Sequence, residues 1–212
     1  MTLTTRWWWI RHAPVDNPDD RFYGQLDLPA DLSDRPALEA LGRRLPKDAL
    51  WLVTPLRRTG ETAAALMRAA GTGPVRREVE PALMEQNFGD WQGRTRAEVW
   101  ATIGPGHPFW LDPAGSRPPD GESFLDLAAR VTAAIERWSS THRGRDIVAV
   151  AHGGTVRAAL AMALGLDGDK ALAFAVDPLS LTRLDVVIGA DGPPAWRVGG
   201  VNLPPGASGA GR

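Results

Sequence analysis

The sequence contains no cysteine. Disulfides, thiolate nucleophiles and cysteine-type zinc clusters are therefore excluded, and the chain fits a reducing compartment. It has no run of about 18 apolar residues, the length a membrane-crossing helix needs. The N-terminal stretch from Met1 to Arg6 is polar and has neither the charged nor the apolar region of a secretory signal. A cytoplasmic location is the expectation. Histidine is scarce, with four in 212 residues, and these are scattered rather than clustered with aspartates as a dinuclear metal hydrolase requires. Neither sign of charge predominates: 24 Lys and Arg stand against 25 Asp and Glu, a formal net charge of -1. That balance points to neither nucleic acid nor an anionic membrane as partner, so any anion site must be local.

What is present suffices for one sizeable core, since 43% of the chain is hydrophobic and 212 residues is short for two large domains. Short apolar runs alternate with segments of helical period. Arg6–Ile10, Ala49–Val53 (ALWLV) and Asp146–Ala151 (DIVAVA) read as buried strands. Pro36–Leu45, Arg57–Ala70, Glu122–Ser140 and Thr155–Leu164 read as helices, the second closed by Gly71 and the fourth by Gly165. In the third, Phe124, Leu127, Val131, Ile135 and Trp138 recur every three or four residues and form one apolar stripe. Ser180–Ile188 and Ala195–Val201 alternate as strands around a turn near ADGPP, and Asp112–Gly121 is a Pro/Gly-rich loop. The expected fold is a single three-layer α/β domain over residues 1–203, with a mostly parallel central sheet and helices on both faces. Residues 204–212, within the low-complexity LPPGASGAGR, are expected to be a disordered tail.

The stretch WWWIRHAPVD drives an apolar strand into Arg11 and His12. In a parallel α/β sheet the carboxyl ends of the strands carry the site. His12 closes the first strand, and His152 follows DIVAVA and precedes Gly153 and Gly154, so both histidines are expected at one sheet edge. His107 and His142 stand in a loop and at a polar helix end and read as surface residues. Arg58 at a helix start adds a further guanidinium, and guanidiniums with a helix N-terminus suit phosphate. Each residue alone has an ordinary reading: a capped histidine, a solvated arginine, and for Glu85 a loop carboxylate.

Taken jointly, these segments resemble the histidine phosphatase, or phosphoglycerate-mutase-like, superfamily. RHA (Arg11, His12, Ala13), TPLRRTGETA with Arg58, LMEQNFGDWQG with Glu85, PDGES and AHGGTVRA with His152 match its motifs in order, from residue 7 to about 166. The resemblance implies catalysis by His12, Glu85 and His152, with Arg11, Arg58 and His152 binding phosphate. His12 would attack phosphorus to form a phosphohistidine, and Glu85 would protonate the leaving oxygen. No metal or other cofactor is implied. Ala13 replaces the family glycine, where a Cβ would restrict positive φ, and the Glu-Thr that commonly follows is absent, with Val15 in place of the Thr hydroxyl and Asn17 as a compensating group.

RFYGQLDLPADLS resembles a segment of the alpha-ribazole phosphatase branch. That likeness implies alpha-ribazole 5'-phosphate, a cobalamin precursor, as leading substrate, with Phe22, Tyr23 and Asn17 binding it. Alternatives are a broad sugar-phosphate phosphatase, a phosphoglycerate mutase, or a catalytically weak phospho-ligand binding protein. The expected partner is a small-molecule phosphate ester, with no nucleic acid and no membrane; a homodimer is left open.

Overall fold

The computed structural model describes residues 2–72, 76–189 and 193–207. Six strands form one sheet: β1 (Leu3–Arg11), β2 (Leu50–Val53), β3 (Arg77–Val79), β4 (Asp146–Ala151), β5 (Leu181–Ile188) and β6 (Ala195–Leu203), in the order β3-β2-β4-β1-β5-β6. The first four neighbours pair in parallel; β5 runs against β1, and β6 turns back along β5. The architecture is the expected mostly parallel α/β sheet.

The opening tryptophans divide between the two faces of this sheet because side chains alternate along a strand. Trp7 and Trp9 stack on one face with ring centroids 4.9 Å apart. They pack with α5 (Phe124–Thr141) and α6 (Gly153–Leu164), which contribute Phe124, Leu127, Val131, Ile135 and Leu160. On the other face Ile10, Trp51, Val148 and Val150 meet α1 (Arg35–Gly42) and α2 (Arg57–Ala70) through Leu38, Leu41, Leu66 and Met67. The three layers follow from this division. Helix α5 starts at a capping box, in which the Ser123 hydroxyl accepts from the Asp126 N–H and the Asp126 carboxylate accepts from Ser123.

Four of the strands and α-helices had no sequence expectation: β3, α3 (Arg96–Ile103), α4 (Pro108–Leu111) and α7 (Gly168–Leu172). Three are short, and α3 buries only Val99, so none displays the periodic stripe on which such readings depend. Val99 joins Phe22, Trp91 and Phe109 in a small separate aromatic cluster. Of the ADGPP turn, residues 190–192 lie outside the described residues, as do 208–212 of the expected tail. Arg44 donates to the carbonyls of Pro204 and Pro205 at 2.8 and 3.3 Å, which ties the chain beyond β6 to the domain. No helix among the described residues is long and apolar enough to cross a membrane.

Candidate active site

The carboxyl ends of β1 and β4 lie side by side because the strands pair in register, Arg11 opposite Ala151. The next residues are His12 and His152. The His12 N–H donates to the Ala151 carbonyl at 2.9 Å, and the two imidazole centroids are 5.2 Å apart. His12 Nδ1 lies 2.6 Å from the carbonyl oxygen of Ala13. A carbonyl only accepts, so Nδ1 carries the proton and a neutral ring presents its Nε2 lone pair. Burial first, and then the Arg58 guanidinium, hold the His12 pKa down to about 3. His152, wholly buried, is likewise held well below the usual histidine range by burial and by His12 and Arg58.

Ala13 causes none of the expected difficulty. It is not among the residues with positive φ, and its N–H donates to Thr62 Oγ1 on α2 at 3.0 Å. Arg58, on the first turn of α2, is fully buried and donates to the carbonyls of Leu26 and Gly24. The loop before α1 is fastened reciprocally, since Asp27 accepts from the Arg57 N–H at 2.7 Å and Glu61 accepts from the Ala30 N–H at 2.8 Å. The YGQLD segment thus clamps the arginine as well as bordering the site. Arg11 Nε, Arg58 Nε and His152 Nδ1 are buried and lack a protein partner. Buried donors without an acceptor are costly, and the two guanidinium N–H groups, with His152 Nδ1 in the tautomer whose Nε2 accepts from the Thr54 hydroxyl, make a cradle for an anion beside His12.

Glu85 reaches the same place from the segment after β3. Its carboxylate accepts the Gly154 N–H at 3.1 Å, at the start of α6, and the Gln86 N–H at 3.0 Å. A Cβ on Gly154 would stand 2.3 Å from Glu85 Oε1, so only glycine admits this approach. Arg130 on α5 holds the segment by donating to the carbonyls of Ala82, Met84 and Glu85 while pairing with Glu122 at 2.6 Å.

A cleft of about 520 Å³ opens over the cluster, bordered by Arg11, His12, Asn17, Tyr23, Glu85 and Arg157 among others. Of the two aromatic candidates, Phe22 is 3% exposed and packs at 5.0 Å on Phe88 and 5.9 Å on Trp91, so little of it is open to the cleft it borders. Tyr23 is half-buried, its ring 5.1 Å from the Arg58 guanidinium carbon and 6.4 Å from the His12 ring. Asn17 spends its side chain on a turn, bonding the N–H and the carbonyl of Arg21 at 3.0 Å each. Trp110 packs at a tilt against Trp100, ring centroids 5.0 Å apart, rather than bordering the cleft. His107 and His142 are half-buried rather than superficial: one caps α4, and the other stacks on Trp138 at 5.1 Å. Among the described residues no group of three or more His, Cys, Asp or Glu is placed to hold a metal ion.

Three participants escaped the sequence reading. Thr54 Oγ1 lies 3.0 Å from His152 Nε2, Arg130 organises Glu85, and Arg157 borders the cleft. Thr54 and Arg157 stood inside the segments TPLRR and AHGGTVRA; Arg130 had no signal beyond its place on α5.

The depressed imidazoles make stability depend on pH. Both histidines bind protons more weakly folded than unfolded, so the unfolded chain takes up more protons as the pH falls below the ordinary histidine value of 6.5. Stability is complete above that value and is lost progressively toward about 3, the folded value of His12. Thermal denaturation of wild type and His12→Gln from pH 7 to pH 4 should show a falling Tm in wild type and a shallower fall in the variant. Equal slopes would mean that His12 is not held neutral.

A family model described as histidine phosphatase superfamily (branch 1) matches residues 7–192. A glucosyl-3-phosphoglycerate phosphatase of Mycolicibacterium vanbaalenii is 36% identical over 175 residues, covering 76% of this chain and 75% of that protein. One from Mycobacterium tuberculosis is 37% identical over 168 residues, covering 73% of each chain. Among solved structures, a mycobacterial glucosyl-3-phosphoglycerate phosphatase superposes with a TM-score of 0.80 at 31% identity, over 94% of this chain and 99% of the other. An alpha-ribazole phosphatase from Shigella flexneri gives 0.75 at 25% identity, over 93% and 96%.

Proposed function

This chain belongs to the histidine phosphatase superfamily and is a phosphatase, and from that premise we propose that it hydrolyses phosphate monoesters through a phosphohistidine on His12. The supporting observation is His12 itself, its Nδ1 bonded to the Ala13 carbonyl at 2.6 Å and its surroundings supplied with buried donors that lack an acceptor. His12 Nε2 attacks phosphorus while the ester P–O bond breaks, and the Glu85 carboxyl gives its proton to the leaving oxygen. Water then attacks the phosphorus, Glu85 takes a proton from that water, and the N–P bond breaks to return neutral His12. Arg11, Arg58 and His152 donate to the equatorial oxygens, where charge is greatest in the transition state. A related mycobacterial structure, 28% identical with a TM-score of 0.80, was solved with inorganic phosphate, and this is consistent with a pocket for that anion.

For the substrate we favour a sugar-bearing phosphoglycerate of the kind named for the curated relatives at 36–37% identity. The arginine-rich lining of the cleft suits such a polar ester. Alpha-ribazole 5'-phosphate is the second reading, favoured by the Tyr23 ring, but of the two expected aromatic contacts Phe22 is buried in the aromatic cluster. A panel of phosphate esters assayed in excess EDTA separates these. Glucosyl-3-phosphoglycerate should exceed alpha-ribazole 5'-phosphate in kcat/KM by at least about tenfold, roughly 1.4 kcal/mol in the transition state. The reverse order would restore the cobalamin assignment, and loss in EDTA that added metal repairs would defeat the proposed mechanism.

A further inference from the structure

Arg157 borders the cleft and has no part in the steps above. The other arginines of the lining are occupied: Arg21 pairs with Asp19 at 2.8 Å, Arg96 pairs with Asp20 at 3.1 Å, and Arg11 is assigned to phosphate. Arg157 has no carboxylate within ion-pair distance among the described residues, and its Nε is fixed on the Phe174 carbonyl at 2.8 Å. Its terminal nitrogens have no hydrogen-bond partner among the described residues. They lie on the first turn of α6, where a Cβ on Gly153 would stand 3.3 Å from Arg157 Nη1 and 3.8 Å from Arg11 Nε. The adjacent residue, Gly154, holds Glu85. Arg157 therefore sits between the arginine assigned to phosphate and the carboxyl that faces the leaving group. Burial lowers its pKa, and the Glu85 charge is the principal influence opposing this. A half-buried guanidinium held in place by a backbone carbonyl and without a carboxylate partner among the described residues suits an anion.

We propose that Arg157 is a specificity-determining residue that binds a carboxylate on the leaving group, so that phosphate esters of hydroxy acids are the preferred substrate class. This rests on the phosphatase reading of the same cleft. The transferring phosphate takes Arg11 and Arg58, and the ester oxygen must face Glu85. A carboxylate two or three bonds further along the leaving group then enters beside Glu85, where giving up its water against the protein wall is costly unless a cation pairs with it. The planar guanidinium of Arg157 matches a carboxylate bidentately and supplies that cation. A neutral alcohol leaving group draws no such benefit.

The test compares 3-phosphoglycerate with glycerol 3-phosphate, which differ at the carbon that carries carboxylate in one and hydroxymethyl in the other. In wild type the kcat/KM ratio of the two is expected to be at least about tenfold in favour of the acid. Arg157→Gln should lower that ratio by about tenfold or more, mainly through KM for the acid, with Arg157→Lys intermediate because it keeps the charge without the planar fork. A wild-type ratio near unity overturns the proposal even if no variant folds, as does a ratio unchanged in Arg157→Gln. Turnover of p-nitrophenyl phosphate by wild type keeps these failures apart from failure of the phosphatase reading. Its absence would remove both.

Discussion

His12→Ala is expected to lower kcat for p-nitrophenyl phosphate by at least about 10⁴-fold, the scale on which loss of a nucleophile is felt in enzymes that form covalent intermediates. The buried guanidinium donors beside His12 can hold a phosphoryl group but supply no nucleophile in place of Nε2. Wild type quenched during turnover should carry phosphate that is labile in acid and stable in base. Peptide mapping should place it on His12. The variant should still fold, since His12 is one buried side chain at the end of a strand whose pairing on both sides is untouched. Normal turnover in the alanine variant, or label on another residue, would remove His12 as nucleophile.

Glu85→Gln should slow esters of alkyl alcohols by roughly 10²–10⁴-fold and p-nitrophenyl phosphate far less, since a general acid contributes only where the leaving oxygen needs a proton. Gly154→Ala should reproduce this pattern without touching the carboxyl group. The added methyl would meet Glu85 Oε1 at 2.3 Å and Leu127 Cδ1 at 3.3 Å, which forces the carboxylate off the helix terminus. Gly154 lies in α6 without positive φ, where alanine is the better helix former. Its substitution thus separates site geometry from backbone stability. Equal slowing of both ester classes in either variant would mean that the acid acts elsewhere.

How much of this was legible from the chain varies by residue. Helix α2 and strand β4 are legible to their observed ends, because α2 terminates at Gly71 in the left-handed region and DIVAVA is bounded by charge and by glycine. Helix α6 begins at Gly153, two residues before the expected Thr155. Glycines are poor helix formers by propensity, but here they admit Glu85 and lie close to Arg11. Phe22 and Tyr23 are adjacent in sequence and equal in composition terms. Only packing separates them, one turned into the cluster of Trp91 and Phe109 and the other left beside Arg58.

The linear pattern by itself determined the alternation of strands and helices, the three-layer α/β class, the two histidines at strand ends and the family, because period, punctuation and motif order are properties of neighbours along the chain. Tertiary structure alone decided that Ala13 is unstrained, that Asn17 serves its own turn, that Arg130 holds Glu85 and that Arg157 stands unpaired beside it. The arrangement at Glu85 depends on groups brought together from distant segments, Glu85 from before α3 and Gly154 from after β4, separated by 69 positions. No local propensity carries the distance between them. Burial, orphaned donors and charge balance arise only when the sheet places those segments against one another.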